Sequence, residues 1–451
     1  MTERKIQPGN LERHGMSLTR KAENVRDVIR YLRKFRNAVV VIYLDDRTID
    51  SPLFSSHIRD IALLHEAGLR VLIIPGARKR IDEVLFSAGI SSVYRDNIRV
   101  TEESAMPLIK MAAFDVSNVV MTSLAANGIT AVIGNWVRSR SKGIIDGFDF
   151  GTAGEIDRIH SDSIRTVLDS GFIPIFPCIG WNSVGRPYNI SSVLLAYQVA
   201  VSLKADKLFY MLDISSINSA DYSVPENFAQ TESGDIPAMN LEETDEFLRL
   251  NANAPDEILS VVRTARSACA DGVTRAHIVT GRLDGVLPCE IFSDLGSGTM
   301  IYTSDYGGIR QMRRTDIPSV LAIQRPFVES GKLLPRTEMQ ISDSIGDYIV
   351  YELDGGIHAC AALHLYSDGQ AEIAAVAVEN SFVHLGIGRK LTEYLIDKAD
   401  RMNASGIFIM TTQAADWFEK LGFRADGIES LPEERRALWN PGRNSRVYRL
   451  R

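Results

Sequence analysis

Apolar runs and amphipathic stretches alternate along the first two thirds of the chain. Residues 22 to 35 predict a helix, and residues 37 to 44, which end in VVVIYL, have the composition of a buried strand. The segment SPLFSSHIRDIALLHEAGLRVLIIPGA predicts a helix that stops at Gly68 and a second buried strand at residues 70 to 75. The same order returns in GITAVIGNW, GFIPIFPCIG and KADKLFYMLD. Such repetition predicts a mostly parallel sheet with helices on both faces.

The periodicity changes after Gly308. The stretch DYIVYELDGGIHACAALHLYSDGQAEIAAVAV predicts three strands joined by DGG and SDGQ, short connections that make antiparallel hairpins. A glycine loop and a helix follow, then a strand in GIFIMTT, a short helix in AADWFEKLG and a final strand in SRVYRLR. We therefore predict a flexible N-terminus over residues 1 to 21 and two domains, residues 22 to 305 and residues 306 to 451.

Two segments of the first domain break its pattern. Residues 216 to 246 are polar and rich in turn-forming residues, which predicts a surface insertion. The glycines of GSGTMIYTSDYGG, residues 296 to 308, predict a linker between the domains.

The bulk composition is that of a soluble globular protein. The 451 residues are 45% hydrophobic and 24% charged, and the formal net charge of −7 argues against broad nucleic-acid binding. The four cysteines are far apart and form no CxxC pair, so we expect no metal site and no disulfide framework. We also expect no membrane span, because no apolar run approaches the required length. These features favour a cytoplasmic protein with reduced thiols.

The first strand is not followed by a phosphate-binding loop. Such a loop needs glycines, so that backbone amides can approach the phosphates, and usually a lysine. Here the strand runs into Leu44, Asp45, Asp46 and Arg47, and two carboxylates would repel a triphosphate. The pattern predicts the first strand of a nucleotide-binding fold, without the loop that would bind the phosphates of a nucleotide.

A candidate anion site lies in VHLGIGRKL, residues 383 to 391, between a strand and a helix. Gly386 and Gly388 let the backbone fold around an anion, and the positive end of the helix dipole favours a diphosphate. Taken alone, the glycines fit a tight turn equally well. Antiparallel strands before the loop, and too few residues after it, exclude a dinucleotide-binding fold.

This order of strands, loop and helix resembles the GNAT acetyltransferase family. There the loop, R/Q-x-x-G-x-G/A, holds the pyrophosphate of acetyl-CoA, and the preceding strand offers its backbone to the pantetheine arm. Val383 stands at the R/Q position, so one customary side-chain contact is missing. The resemblance implies acetyl-CoA as a co-substrate, with no permanently bound cofactor. The implied contacts are Val376, Ala377, Val378, Leu385, Gly386, Ile387, Gly388 and Arg389.

Longer segments resemble the N-acetylglutamate synthase family, over roughly residues 22 to 451. They include DIALLHEAGLRVLIIPGARKRID and DGVTRAHIVTGRLDGVLPCEIFSDLGSGTM in the first domain, and LLPRTEMQI and LPEERRALWNPGRNSRVYRL in the second. The resemblance implies an α/β chain, with an amino-acid-kinase-like domain followed by a GNAT domain of the α+β class. The implied reaction moves the acetyl group of acetyl-CoA to the α-amino group of L-glutamate, the first step of arginine biosynthesis, under feedback by L-arginine.

The resemblance also assigns residues to the reaction. Glu372 matches the family's general base, and Thr411 matches a hydroxyl that serves some members. Phe418 stands where many GNAT enzymes have a donor tyrosine, and His364 is a further candidate donor, although a lone strand histidine is more often structural. The implied glutamate contacts are Leu334, Arg336, Ala375, Arg443 and Ser445. Without the family motifs, Arg336 and Arg443 would be interpreted as ordinary surface arginines.

Arginine binding is assigned to the first domain by the same resemblance. The implied contacts are Tyr31, Lys207, His277, Glu290 and Gly296, with Glu290 pairing with the guanidinium and Lys207 meeting the α-carboxylate. The family assembles as homo-oligomers, tetramers or hexamers.

Two alternative functions remain open: an arginine sensor with a degenerate GNAT domain, and an acetylglutamate kinase fused to an acetyltransferase. The kinase branch places Lys-x-Gly-Gly where this chain has Tyr43 to Asp46, which argues against the second.

Overall fold

The computed structural model of the chain describes residues 29, 35–95, 97–225, 228–231, 233–252, 257–292, 298–303, 307–353, 356–443 and 445–450. The chain divides into two compact units, Met1–Thr303 and Ser304–Arg451. The helix predicted over residues 22 to 35 lies outside the described residues, apart from Ile29 and Phe35.

The first unit begins, in its described part, with a strand–helix–strand series. Its elements are β1 (Val39–Leu44), α1 (Asp46–Ile49), α2 (Phe54–Glu66), β2 (Arg70–Pro75), α3 (Arg78–Ser87), β3 (Val93–Arg95), β4 (Ile98–Val100), α4 (Met106–Ala125), β5 (Ala131–Ile133), β6 (Val137–Ser141), β7 (Ile144–Ile145), β8 (Phe148–Asp149), β9 (Gly154–Ile159), α5 (Ser161–Asp169), β10 (Ile173–Ile175), β11 (Ile179–Trp181), β12 (Pro187–Asn189), α6 (Ser192–Leu203), β13 (Lys207–Leu212), β14 (Ala238–Asn240), α7 (Leu241–Leu250), α8 (Glu257–Ala270), β15 (Arg275–Thr280), α9 (Val286–Phe292) and β16 (Thr299–Tyr302).

The predicted parallel sheet is confirmed. Described strands form an eight-stranded sheet in the order β14-β16-β15-β13-β1-β2-β10-β5. The pairs around β1 are parallel, with Val40 opposite Lys207 of β13 and opposite Val71 of β2. Strands covered on both faces read as continuous apolar runs, and Val40, Val41 and Ile42 are indeed completely buried. A separate four-stranded sheet, β12-β11-β6-β9, was not predicted.

The prediction of a surface insertion at residues 216 to 246 is wrong, and the predicted linker, residues 296 to 308, contains the division between the units after Thr303 but also a paired strand. The segment from 216 to 246 is not a surface insertion, because it supplies β14 and the start of α7, and its Ile217, Ile236 and Met239 are buried in the core. The presumed linker contains β16, which pairs antiparallel with β15. In both segments, isolated apolar residues among polar ones reach the core through contacts distant in sequence.

Among the described residues, Glu103–Ala125, a 3₁₀ turn followed by α4, is the candidate membrane span, by length and composition only. Ile109, Val120 and Leu124 on one of its sides are completely buried in the core of the first unit. Core helices of globular proteins meet the same criteria, so this helix is weak evidence for a membrane.

The second unit is built around one twisted sheet. Its elements are β17 (Gly307–Gln311), α10 (Ile317–Glu329), α11 (Glu338–Asp343), β18 (Tyr348–Leu353), β19 (Gly356–Leu365), β20 (Gln370–Val378), α12 (Ile387–Arg401), β21 (Gly406–Thr411), α13 (Ala415–Lys420), β22 (Phe423–Asp426), α14 (Glu433–Ala437) and β23 (Arg446–Leu450).

The predicted hairpins of the second unit are confirmed. Strands β18, β19 and β20 pair antiparallel, within the order β17-β18-β19-β20-β21-β23-β22. Among the described strands of this unit, only β20 and β21 pair in parallel. Their pairing ends at Glu372 and Phe408, although β20 continues to Val378 and β21 to Thr411. The two strands therefore diverge toward their carboxyl ends.

Candidate active site

The glycine loop lies at the carboxyl end of β20. A 3₁₀ turn over Asn380–Leu385 leads to Gly386, whose φ of 65° is in the left-handed region, and α12 begins at Ile387. The first N–H groups of a helix have no partner within it, so those of α12 can bind an anion at this end. Val383 is 58% exposed on the turn. The Arg389 guanidinium is already paired with Glu393, at 2.7 Å between Nε and Oε1.

Strand β20 carries a bulge beside this loop. Ala375 has a φ of 55°, which is strained for a residue with a Cβ, and the register with β19 shifts between Cys360 and Ala362. Beyond the last β20–β21 pair, the edge of β20 has backbone groups that can bond an extended ligand as a neighbouring strand would. The predicted Ala375, Val376, Ala377 and Val378 lie along this edge.

Arg336 lies just before α11, where Thr337 and Gln340 form a capping box. Its guanidinium donates to the Tyr348 hydroxyl, lies 5.6 Å from the centre of the Tyr348 ring, and has Nη2 3.5 Å from Nε2 of His364. Arg336 is therefore directed at the face of the sheet formed by β18 and β19.

The structure brings Arg443 to the same region. Its Nη2 donates to the carbonyl of Lys332 at 2.8 Å, in the segment that leads to Arg336. Its Nε is buried and has no hydrogen-bond partner among the described residues. Burial, and then the charge of Arg435, lower the pKa of Arg443. Ser445 is half-buried beside it, immediately before β23, whereas Leu334 is 53% exposed.

Glu372 is 95% buried in β20, and its carboxylate accepts three hydrogen bonds from two residues. Arg435 binds it through two bonds, Nε to Oε2 at 2.7 Å and Nη2 to Oε1 at 3.2 Å. The Tyr366 hydroxyl donates to Oε2 at 2.6 Å, and burial followed by the Glu372 charge raises the pKa of Tyr366. Sequence reasoning did not identify Arg435 or Tyr366; Arg435 lies within the recognised segment LPEERRALWNPGRNS, which was the available signal.

A histidine–carboxylate pair lies next to Arg336. The His364 Nδ1 atom is 2.7 Å from Oδ2 of Asp347, and His364 is directly opposite Glu372 in the β19–β20 ladder. Directly opposed residues of antiparallel strands share a face, so His364 and Glu372 lie side by side.

Thr411 ends β21 on the other side of the strand divergence. Its Oγ1 accepts the N–H of Ala414 at 3.0 Å, which leaves the hydroxyl hydrogen able to donate. Thr411 is opposite Arg446 of β23, and Ser445 immediately precedes Arg446 in the chain. Phe418 is buried in the core, packed against Phe423.

A second candidate site, in the first unit, joins three of the residues predicted to bind arginine. The His277 Nδ1 atom is 2.8 Å from Oε1 of Glu290, whose Oε2 accepts the N–H of Gly298 at 3.1 Å. Lys207, buried in β13, has its ammonium 4.6 Å from the centre of the Phe35 ring. Tyr31 and Gly296 lie outside the described residues.

The protonation of His277 is set by its surroundings. Burial lowers the pKa of His277 to about 4, against the opposing effect of Glu290, so the ring is neutral at neutral pH and donates from Nδ1. Its Nε2 is buried without a hydrogen-bond partner among the described residues. An unpaired buried acceptor of this kind can take a donor from a ligand.

The carboxyl end of β1 is filled by side chains where a phosphate-binding loop would lie. Asp45 is 94% buried and accepts from Arg47 Nε at 3.1 Å, while Arg47 and Arg78 both contact Glu257 of α8. Burial raises the pKa of Asp45 to about 6. A Cβ added at Gly76 would lie only 2.9 Å from the Tyr43 hydroxyl. We call Asp45, Arg47, Arg78 and Glu257 the β1-end cluster.

We expect no phosphoryl transfer from the first unit, because each guanidinium of the β1-end cluster already faces a carboxylate. The wild-type protein, incubated with ATP, Mg²⁺ and N-acetylglutamate, should release no ADP above a heat-inactivated sample. Formation of acetylglutamate phosphate, trapped with hydroxylamine, would contradict this prediction.

Comparisons with known proteins agree with this division into two units. The amino acid kinase family model matches residues 15–280, and the acetyltransferase (GNAT) domain model matches residues 344–425. The chain is 31% identical over 431 residues to the amino-acid acetyltransferase of Vibrio vulnificus (strain CMCP6), covering 93% of this chain and 96% of that one. It is 30% identical over 439 residues to the amino-acid acetyltransferase of Escherichia coli (strain K12), covering 95% and 97%.

Solved structures of one relative cover both units. N-acetylglutamate synthase from Neisseria gonorrhoeae, complexed with coenzyme A and L-arginine, is 30% identical, with a TM-score of 0.78 over 95% of this chain and 99% of that one. The same enzyme complexed with coenzyme A and N-acetyl-glutamate has a TM-score of 0.60 over the same shares. The resemblance seen in the sequence is confirmed, and the chain belongs to the amino-acid acetyltransferase family, as an acyltransferase with an amino-acid-kinase-like region followed by a GNAT domain.

Proposed function

We propose that this protein transfers the acetyl group of acetyl-CoA to the α-amino group of L-glutamate, releasing N-acetyl-L-glutamate and CoA. In this proposal the reaction opens arginine biosynthesis, and L-arginine regulates it by binding to the first unit. The Neisseria relative, whose structures contain coenzyme A, N-acetyl-glutamate and L-arginine, supports the proposal.

The observation that carries the proposal is that Arg336 and Arg443 both lie at the segment that leads to α11 in the second unit. A dicarboxylate acceptor needs two cationic partners, and Arg336 and Arg443 approach this region from separate segments. Arg443 has a buried Nε without a described partner, which a carboxylate can satisfy. Acetyl-CoA would lie along the edge of β20, with its pyrophosphate at the start of α12.

The chemical roles follow from this arrangement. Glu372 and Thr411 remain the predicted general base and general acid, on β20 and β21 respectively. The ion pair with Arg435 holds the Glu372 side chain in place on β20. The Thr411 hydroxyl, which accepts from Ala414, keeps its hydrogen for the departing thiolate.

The test is a thiol-release assay with acetyl-CoA and a panel of amino acids. We expect CoA release with L-glutamate in the presence of EDTA and without ATP, and much weaker release with glutamine, which lacks the second carboxylate. If glutamine and glutamate reacted equally, the proposed use of both arginines would be wrong. If no amino acid supported CoA release while arginine still bound, the chain would be a sensor.

Glu290 should be required for the response to arginine. Replacing Glu290 with Gln keeps the side-chain volume but removes the charge that a buried guanidinium needs, so calorimetry should show arginine binding weakened roughly 10-fold or more. Activity without arginine should persist, because Glu290 belongs to the first unit. An unchanged arginine response in Glu290→Gln would contradict the assignment.

A further inference from the structure

Two buried N–H donors lack an acceptor in the short segment that leads from α14 to β23. Trp439 Nε1 and Arg443 Nε are both buried, and neither has a hydrogen-bond partner among the described residues. Buried polar groups of proteins are nearly always paired, so each of these two atoms calls for an explanation. An indole N–H and a guanidinium can only donate. The group that would complement them is therefore rich in acceptors.

The backbone of this segment is folded into two successive turns. The N–H of Trp439 donates to the carbonyl of Arg436 at 3.0 Å, which extends the last turn of α14. The N–H of Arg443 donates to the carbonyl of Asn440 at 3.2 Å, within the 3₁₀ turn Pro441–Arg443. Because both bonds close tight turns, the chain between Trp439 and Arg443 is compact rather than extended.

The charge of Arg443 is not compensated within the described part of the chain. Its side chain contacts there only carbonyl oxygens, those of Gly331 at 3.4 Å and of Lys332 at 2.8 Å, which orient the guanidinium but carry no charge. The pKa of Arg443 is lowered first by burial and then by the charge of Arg435. Arg435 itself pairs with Glu372. A carboxylate would supply both the missing charge and the missing acceptors.

We propose that Trp439 binds the side-chain carboxylate of the acceptor amino acid, with its indole N–H donating to one oxygen and Arg443 Nε to the other. This inference rests on the proposed function, in which Arg336 and Arg443 bind the two carboxylates of L-glutamate. Arg336 contacts His364, which is opposite the predicted general base Glu372, so the carboxylate on Arg336 is the one next to the reacting amine. Arg443 then binds the other carboxylate.

This pair of donors makes Trp439 a specificity-determining residue. A carboxylate accepts both hydrogen bonds, whereas the side-chain amide of glutamine has a single oxygen and turns an NH₂ group toward one of the donors. A site that would leave a buried donor unpaired rejects a substrate strongly. The indole is also neutral, so it adds a donor without adding a third cation beside Arg435 and Arg443. Trp439 thus favours glutamate over glutamine, which has almost the same size.

The test is a double-mutant cycle on kcat/KM for glutamate, measured by CoA release at saturating acetyl-CoA. Trp439→Phe keeps an aromatic ring and removes the N–H, and we expect it to lower kcat/KM roughly 10-fold or more. In the Arg443→Ala background the same substitution should cost less than about 3-fold, because the carboxylate is no longer held against the indole. In the Arg336→Ala background, which concerns the other carboxylate, the full loss should persist.

Two further measurements separate substrate recognition from folding. The ratio of kcat/KM for glutamate to that for glutamine should fall in Trp439→Phe, while calorimetric binding of acetyl-CoA stays that of the wild type. Trp417→Phe is the matched control, because it removes an indole from α13 of the same unit, and it should keep the wild-type ratio. If Trp439→Phe fails to bind acetyl-CoA, benzothienylalanine at position 439, which replaces the N–H with sulfur in a ring system of the same shape, takes its place.

Three results would overturn the inference and leave the proposed function intact. The first is an unchanged kcat/KM for glutamate in Trp439→Phe. The second is an equal loss in all three backgrounds, since a purely structural tryptophan does not depend on Arg443. The third is an equal loss with glutamate and with glutamine, which would place the indole away from the side-chain carboxylate. If the wild type itself failed to acetylate glutamate, the proposed function would fall and the inference with it.

Discussion

Replacing both Arg336 and Arg443 with alanine should lower kcat/KM for glutamate by roughly 10²- to 10⁴-fold, because each lost charge-assisted contact costs about 1.5–3 kcal/mol. Each single variant should lose roughly 10- to 150-fold. Binding of acetyl-CoA should stay nearly intact, since neither arginine lies on the β20 edge or at the start of α12. The measurement is steady-state kinetics in both substrates, with calorimetry of CoA binding.

The control for charge alone is Arg325→Ala, which removes an exposed arginine from α10 of the same unit. It should leave both kinetic constants unchanged. If the apparent affinity for acetyl-CoA fell as much as that for glutamate in the arginine variants, the two residues would not form the acceptor site.

Replacing Arg435 with alanine should destabilise the second unit by about 3 kcal/mol, because it leaves the buried Glu372 carboxylate without its cation. Hydrogen exchange of β20 amides is the measurement, and a loss of protection of roughly 100-fold is expected. Adding Glu372→Gln to Arg435→Ala should restore part of the protection, since no uncompensated charge then remains.

Arg436→Ala is the matched control for this second prediction. It makes the same substitution one position along α14, at an exposed side chain. Surface substitutions of this kind usually change the free energy of unfolding by less than about 0.5 kcal/mol. Equal effects of Arg435→Ala and Arg436→Ala would show that the ion pair does not stabilise β20.

The predictions that the structure confirms rest on local patterns in the sequence. The buried run of β1, the hairpins around β19 and the glycine before α12 each depend on neighbours a few residues apart, and all three predictions are confirmed. The core contacts of residues 216 to 246 and the strand β16 depend on partners far along the chain, and local patterns did not predict them.

The same distinction applies to the candidate active site. Motifs identified Arg336, Glu372 and Arg443, whose neighbours in sequence carry the resemblance. The partners of these residues come from other elements: Arg435 is 63 positions from Glu372, and Asp347 is 17 positions from His364. No periodicity or spacing connects such pairs, since only the folded sheet brings them together.

The β1-end cluster constrains how this chain could change over evolution. Asp45 is buried and pairs with Arg47, so replacing Arg47 leaves a buried carboxylate without its cation, whereas the side chains of Arg78 and Glu257 are half exposed. A return to phosphoryl transfer would also require glycines in place of Asp45 and Asp46 and a lysine in place of Tyr43, whose hydroxyl closely approaches Gly76. Each intermediate sequence would be less stable before any nucleotide could bind. A gradual change of this end of the sheet toward a phosphate-binding loop would therefore meet a cost in stability before it gained a new function.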